Sequence, residues 1–347
     1  LGNDELEWEK TSQFNLGLDL GLFQNRITVT ADYFIKNTSD LLYNTPLPSS
    51  SSFNSILQNT GEMRNEGFEL MIESRNLVEE FKWNTSFNIS TYKNKITKLY
   101  GDIDQIIVSE LISWGEMQGA NNSNILKVGE PLGLLWGYTW DGVYRTEQEA
   151  AESGQPGAHL GGLKLKDLNE DGIVNEDDKS IIADPNPDFF GGLTNTFSYK
   201  GFDLSIFMQF VMSRDIFNGQ KLINTYIQRD QNIRQEYFDN RWTTENQDAP
   251  YPRAGYTTFG PINTWHVEDG SFLRARNITL GYNLPEFSDA FDNLRVYLSA
   301  DNLFTLTNYS GFNPDVNAYG DNILVQAVDI GTYPLSKTYT VGIDISF

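Results

Sequence analysis

Apolar and polar residues alternate along many stretches of this chain. In the first stretch every second residue is apolar, at Phe14, Leu16, Leu18 and Leu20. The next stretch repeats the spacing at Ile27, Val29, Ala31, Tyr33 and Ile35. Successive side chains of a β-strand point to opposite faces, so a period of two predicts strands with one apolar and one polar face. The whole sequence predicts roughly ten such strands and an all-β, antiparallel fold.

The connections between the predicted strands differ in length. Gly21 to Asn25 and Lys200-Gly201 are tight turns, whereas residues 45–60, 141–187 and 215–269 are long and rich in Ser, Asn, Gly and Asp. Short turns at one end and long loops at the other are typical of transmembrane β-barrels, while a soluble β-sandwich has more even spacing. The densest apolar run, Leu204 to Met212, contains polar residues and is far shorter than a membrane-spanning helix.

The last predicted strand continues to the final residue of the sequence. Its apolar face carries Tyr339, Val341, Ile343, Ile345 and Phe347. Chain termini usually fray in water, so a terminal aromatic residue favours a strand that is anchored in the aromatic belt of a membrane barrel. The alternative is the last strand of a soluble sandwich.

Composition narrows the classes of function. The chain has 25 Lys+Arg against 47 Asp+Glu, a formal charge of −22, which repels phosphate and argues against nucleic-acid binding. It has no cysteine, which excludes disulfides and thiolate metal sites. Its two histidines, His159 and His266, lie far apart in the sequence and offer little for a histidine-based zinc or catalytic site. Paired carboxylates such as Glu79-Glu80 are expected by chance in so acidic a chain, and we do not predict an enzyme.

Residues 167–178 match the calcium-loop pattern D-x-N-x-D-G-x-x-N-x-x-D. The pattern predicts six oxygen ligands, from Asp167, Asn169, Asp171, the carbonyl of Ile173, Asn175 and Asp178. Asp178 stands where an EF-hand loop prefers Glu, which favours a weaker site. No helical pattern flanks the loop, so the ion is expected to stiffen it rather than to signal. The alternative is a hydrated acidic turn without an ion.

Four tryptophans lie in predicted loops, at positions 114, 136, 140 and 265. Indole rings stack well on sugar rings, but loop packing and membrane-interface anchoring are commoner roles. We therefore expect Trp114, Trp136, Trp140 and Trp265 to be structural.

Several short motifs occur in a fixed order along the chain. They are Leu6 to Thr11 with Phe14 to Asp19, Asn59 to Met63 with Asn65 to Leu70, Trp242-Thr243 with Tyr251-Pro252-Arg253, Asp269 to Arg274 with Asn277 to Tyr282, and Asp301 to Phe304 with Thr307 to Gly311. Together they resemble the SusC/RagA-like TonB-dependent outer-membrane transporters of Bacteroidetes. The resemblance covers essentially the whole of residues 1–347.

The resemblance implies a large transmembrane barrel of 22 strands, to which residues 1–347 contribute C-terminal strands without the plug domain. It implies import of glycans, oligosaccharides or peptides through the bacterial outer membrane, with a SusD-like lipoprotein as partner. The TonB complex would act through an N-terminal part that this sequence does not contain. The calcium-type loop would be extracellular. A second hypothesis, from another class, is a secreted calcium-binding β-sandwich that binds carbohydrate.

Overall fold

The computed structural model describes residues 3–46, 50, 55–108, 123–224, 232–254, 261–285 and 293–346. Its strands are β1 (Lys10–Leu22), β2 (Ile27–Pro46), β3 (Ser55–Val78), β4 (Lys82–Lys98), β5 (Gln105–Val108), β6 (Asn124–Lys127), β7 (Leu135–Gly137), β8 (Trp140–Val143), β9 (Leu163–Leu165), β10 (Ser180–Ala183), β11 (Phe189–Tyr199), β12 (Phe202–Met212), β13 (Asp215–Asn218), β14 (Val267–Asp269), β15 (Phe272–Asn283), β16 (Asn293–Thr307), β17 (Val328–Asp329) and β18 (Thr338–Ser346). Short helices are α1 (Glu147–Glu152), α2 (Gly219–Asn224) and α3 (Gln235–Asn240), with 3-10 turns at Tyr100–Asp102, Glu176–Asp178 and Thr264–His266. None of the described helices has the length and apolar character needed to span a membrane.

Nine long strands form one antiparallel sheet in the order β1-β2-β3-β4-β11-β12-β15-β16-β18. Each strand of this sheet pairs with the strand of the same sheet that follows it in the sequence, so the sheet is an up-and-down meander. The prediction of alternating antiparallel strands is confirmed. The strand β11 was predicted only through its flanks, a loop ending at residue 187 and a tight turn at Lys200-Gly201, because Gly191-Gly192 interrupts its apolar alternation.

The two faces of the sheet differ in chemistry along the whole meander. One register row crosses six strands with apolar residues only, at Leu20, Val29, Ile72, Phe87, Leu193 and Met208. The neighbouring row on the opposite face consists mainly of polar residues and glycine, at Asp19, Thr30, Met71, Asn88, Gly192 and Gln209. We call these the apolar face and the polar face. The apolar face is not covered by other parts of the described chain, since Leu16 is 63% and Val341 75% exposed.

The three longest connections of the meander lie at one end of the sheet. Residues 99–188, 213–271 and 308–337, with the shorter 47–54, connect strands at that end, whereas 23–26, 79–81, 200–201 and 284–292 connect strands at the other. The predicted asymmetry is therefore confirmed, but its boundaries were wrong. Half of the predicted loop 45–60 is strand, because β2 and β3 continue to pair as far as Pro46 and Ser55. The predicted loop 141–187 begins earlier, after β4, and the connection 308–337 was not predicted.

Three of these connections fold together into a cap over one end of the sheet. We call residues 99–188 the first excursion, 213–271 the second and 308–337 the third. Their largest shared core has Leu135 and Ala183 from the first, and further buried residues from the second and third, at Phe217, Ile262, Val325 and Val328. β13 of the second excursion pairs with β17 of the third, and Tyr138 of the first forms a bridge with Asn263 of the second. The cap thus has its own hydrophobic core.

Candidate functional site

The polar face carries hydrogen-bonded charges near the short-turn end. Arg295 Nη2 lies 2.7 Å from Asp203 Oδ2, and its Nη1 lies 3.2 Å from Asp344 Oδ2. The amide of Asn277 donates to Ser299 Oγ at 3.0 Å and to Asp301 Oδ1 at 2.7 Å. These residues come from four neighbouring strands, β12, β15, β16 and β18. Such a surface suits contact with water and polar solutes rather than with lipid.

Aromatic rings gather on the apolar face at the short-turn end. Trp83 and Phe197 have ring centroids 5.8 Å apart, and Phe81 lies 6.2 Å from Phe197. One pair further along, Phe202 and Tyr282, is separated by 4.4 Å. Aromatic rings at this level of a barrel commonly mark the membrane–water interface, because one part of the ring system prefers lipid and the polar atoms prefer water.

The terminal apolar residues of the sequence lie on the apolar face of β18, which pairs with β16. They are largely exposed, at 66% for Tyr339, 75% for Val341, 63% for Ile343 and 47% for Ile345. Phe347, the last residue of the predicted signal, lies outside the described residues. The alternation predicted for this strand is therefore present from Tyr339 to Ile345.

The calcium-type loop connects β9 to β10 in the first excursion. Its side-chain oxygens accept backbone N–H groups two residues on: Asn169 from Asp171 at 3.0 Å, and Asp171 from Ile173 at 2.8 Å. Asn175 Oδ1 accepts in the same way from the N–H two residues later, at 2.7 Å. Asp167 Oδ2 accepts from Gly172 N at 2.8 Å, with the glycine at φ +84°. The loop therefore curls so that its polar side chains turn back on its own backbone.

Asp178 anchors the end of this loop. It is fully buried, and its carboxylate accepts N–H groups of Leu168 at 2.7 Å and Asn175 at 2.8 Å. Burial by itself raises the pKa of Asp178, but the backbone N–H groups of Asn175, Leu168 and Asn169 hold that pKa below its ordinary value. Asp178 is thus an ionised carboxylate inside the loop.

One oxygen of the loop is unsatisfied in a way that fits a cation. Asp167 Oδ1 is buried and has no hydrogen-bond partner, and the Asp167 carboxyl group lies beside that of Asp178. Two adjacent carboxylates repel each other unless a cation or a proton lies between them. Among the described residues no three His, Cys, Asp or Glu side chains could hold a metal ion by themselves. The predicted set also uses two Asn oxygens and the carbonyl of Ile173.

A family model for the TonB-dependent receptor-like β-barrel matches residues 1–303. The chain belongs to this family of TonB-dependent receptors. Relatives include TonB-dependent receptor P3 of Formosa agariphila, 36% identical over 99% of the chain, and TonB-dependent receptor SusC of Bacteroides thetaiotaomicron, 28% identical over 99%. The chain spans 35% and 32% of these two proteins.

The solved structures agree with this assignment. The structure of the RagAB peptide transporter superposes with a TM-score of 0.80 at 27% identity, over 100% of this chain and 36% of that one. The RagAB peptide importer in its open-open state gives the same TM-score at 26% identity. The resemblance to SusC/RagA-like transporters is thereby confirmed, and the nine-stranded sheet is part of a TonB-dependent receptor barrel.

Arg274 fastens the receptor's barrel wall to the third excursion. The side chain is 1% exposed, and its guanidinium donates to Asn313 Oδ1 at 2.6 Å and to Thr305 Oγ1 at 3.1 Å. It also lies 3.5 Å from Asp315 and over the ring of Phe272. The sequence motif contained Arg274, but nothing in its spacing indicated a buried cation.

Glu268 is the polar centre of the contact between the second and third excursions. Its carboxylate accepts from Ser310 N at 2.8 Å, Ser310 Oγ at 2.9 Å and Asn218 Nδ2 at 3.0 Å, and Lys221 Nζ lies at 3.3 Å. Burial raises the pKa of Glu268, but the Ser310 N–H, Lys221 and the other donors hold it below its ordinary value. The glutamate therefore stays charged where the two excursions meet.

Two of the loop tryptophans are packed inside the cap of the receptor. Trp265 is 6% exposed, and its ring meets Trp140 at 6.2 Å and Tyr251 at 5.6 Å in edge-on geometry. Trp136 lies in β7, and Trp114 is outside the described residues. The prediction that the tryptophans are structural rather than sugar-binding fits Trp140 and Trp265, since neighbouring side chains contact their rings.

We expect the cap to lose stability as the pH falls below about 6.5, the ordinary pKa of histidine. His266 is fully buried, and burial lowers its pKa to about 3. Between these pH values the unfolded state binds a proton that the folded state excludes, so stability falls by at most about 1.4 kcal/mol per pH unit. Thermal unfolding of the cap, followed by tryptophan fluorescence, measures this slope.

His266→Phe should flatten that slope, because phenylalanine has no ring nitrogen to protonate. His159→Phe removes the other histidine of the chain and controls for the loss of an imidazole elsewhere in the cap. An unchanged slope in His266→Phe would show that another group carries the acid sensitivity.

Proposed function

We propose that this chain is part of the wall of a SusC-type outer-membrane importer that draws glycans, oligosaccharides or peptides through a TonB-powered barrel. The observation that carries the proposal is the sheet itself, with an exposed apolar face, a hydrogen-bonded polar face and its three longest connections at one end. In a barrel of this kind the apolar face contacts outer-membrane lipid and the polar face lines the lumen. The cap would then face the cell exterior.

A SusD-like lipoprotein and the TonB complex are the proposed partners. The support is the similarity to SusC and to the RagAB importers. The cap is the surface that such a lipoprotein would meet, since it covers the end with the long connections. TonB would act through regions of the protein outside these residues. The named relatives are receptors and transporters, so we propose no enzymatic activity.

Uptake by cells tests the proposal. The complete gene is deleted, and uptake of labelled oligosaccharides and of labelled peptides is compared with wild type, with and without an energised TonB complex. Loss of one solute class only, dependent on TonB and restored by the gene, supports import and identifies the class. Uptake of both solute classes at the wild-type rate in the deletion strain would refute the proposed import function.

The secreted β-sandwich remains less suited to this structure. A sandwich buries the apolar faces of two sheets against each other. Here one nine-stranded sheet leaves its apolar face uncovered within the described chain.

We further propose that the loop 167–178 binds a structural calcium ion. Asp167, Asn169, Asp171, the Ile173 carbonyl, Asn175 and Asp178 would supply hard oxygen ligands, and the ion would neutralise the charge that these carboxylates bring together. The buried, unpartnered Oδ1 of Asp167 supports the site. The ion would stiffen the first excursion.

Calorimetry with the full-length receptor measures this binding. Asp167→Ala and Asp171→Ala should each weaken calcium binding at least about tenfold, because each removes a charged ligand. Asp177→Ala removes the same charge from a position that is not a predicted ligand, and should change the affinity much less. Binding unaltered in both ligand variants would rule out this loop as the site.

A further inference from the structure

The calcium-type loop is held between two strands that both pair with one continuous stretch of the first excursion. β9 ends at Leu165, just before the loop, and pairs with β8 through Trp140. β10 begins at Ser180, just after the loop, and pairs with β7 through Gly137. The loop therefore joins the two strands that hold residues 135–143 from both sides.

The middle of this stretch is hydrogen-bonded to the second excursion. The N–H of Tyr138 donates to Ile262 O at 3.0 Å, and the N–H of Thr264 donates back to Tyr138 O at 3.0 Å. The N–H of Trp140 donates to Thr264 Oγ1 at 3.0 Å, next to the contact between the rings of Trp140 and Trp265. Residues 262–266 are thus attached to the part of the first excursion that the loop's strands hold. We call residues 135–143 with 262–266 the joint.

The loop also packs on the joint directly. Val174, from the middle of the loop, is 5% exposed and belongs to the same apolar cluster as Tyr138, Leu163 and Leu165. Glu176 accepts a hydrogen bond from the Tyr138 hydroxyl at 3.3 Å. Opening of the loop would remove Val174 and Glu176 from Tyr138 and release β9 and β10 together.

We propose that the loop is a calcium-dependent clamp on the joint between the first and second excursions. The inference rests on the calcium site proposed above and extends it to residues that touch no ion. Calcium binds the folded loop and not the open one, so it lowers the population in which the loop and its two strands open. The pairing of β13 with β14 and β17 contains no part of the loop. Phe217 and Val328 do pack with Ala183 of β10 in the shared core, so these strands should respond to calcium less than residues 262–266.

Hydrogen exchange of the full-length receptor, with calcium and with a chelator, tests the clamp. Removal of calcium should speed amide exchange at least about tenfold in the loop and in residues 262–266. Exchange in β13 and β17 should change less than in residues 262–266, because their own hydrogen bonds lie outside the joint and only their packing against β10 is affected. Tryptophan emission should shift in parallel, since Trp140 and Trp265 lie at the joint.

Variants separate the clamp from the ion site. Asp167→Ala should give the fast exchange of the calcium-free protein even with calcium present, whereas Asp177→Ala should retain the response. Thr264→Val removes the hydrogen bond from Trp140 without touching the loop, so it should keep calcium affinity while residues 262–266 exchange faster.

The possible failures are distinguishable. Calcium binding by calorimetry, with protection of residues 167–178 but no change at 262–266, would overturn the clamp and leave the ion site standing. Absence of calcium binding to the wild-type receptor would overturn both.

Discussion

Ile72→Arg is expected to lower the free energy of unfolding in a bilayer by about 2–4 kcal/mol. Ile72 lies on the apolar face of β3 between Val29 and Phe87, in a row that is apolar across six strands. An arginine here would place a guanidinium among lipid chains, where few polar groups can solvate it. Urea-dependent unfolding of the full-length receptor in lipid vesicles measures the loss.

Met71→Arg is the matched control for this substitution. Met71 is the preceding residue of the same strand, 41% exposed and also apolar, but it lies on the polar face between Thr30 and Asn88. The same charge should cost less than about 1 kcal/mol there, because the side chain points away from lipid. Equal losses in the two variants would contradict the assignment of the faces to lipid and lumen.

Arg274→Met is expected to destabilise the attachment of the third excursion on the order of 3 kcal/mol. The substitution keeps much of the side-chain volume but removes the donors to Asn313 and Thr305 and leaves those oxygens without this partner. The contribution of Asp315 is smaller, because its side chain is 48% exposed. Proteolysis of the third excursion, measured as a rate of cleavage in folded receptor, reports the loss.

Arg276→Met tests whether the effect belongs to burial rather than to charge. Arg276 lies in the same strand, exposed, and donates to Asn302 Oδ1 at 3.0 Å. We expect it to change stability by less than about 1 kcal/mol, since water replaces a lost surface hydrogen bond. Similar cleavage rates for the two variants would show that Arg274 does not fasten the excursion.

The apolar alternation was sufficient to predict strands and their faces but not their lengths. β3 has 24 residues and β2 has 20. Both are longer than the roughly ten residues that a strand needs to cross a bilayer. The two strands continue to pair beyond the predicted boundary, where their side chains no longer alternate clearly. Backbone pairing does not require alternation, so the pattern gave no sign of this extension. β11 lacks a clear alternation of its own for a related reason, because Gly191 replaces an apolar residue on the apolar face.

In the calcium-type loop, too, the sequence predicts local features but not contacts with distant segments. The ligand spacing is a local property, so the sequence alone predicted all six positions and the turn at Gly172. The burial of Val174 against Tyr138 and the link to Thr264 are contacts between segments far apart in the chain. The spacing of ligands contains no information about such contacts. The contacts on which the proposed clamp rests are therefore present only in the folded protein.

By itself the sequence determined the class of fold, the two faces of the strands, the uneven connections and the calcium-type loop, because each depends on neighbours within about a dozen residues. Only the tertiary structure decided that three excursions share one core, with Leu135, Phe217 and Val328 in contact as a cluster. It also decided that Arg274 is buried beneath Asn313. The physical reason is that non-local packing is selected by the free energy of burial of the whole cap, and no short-range pattern records it.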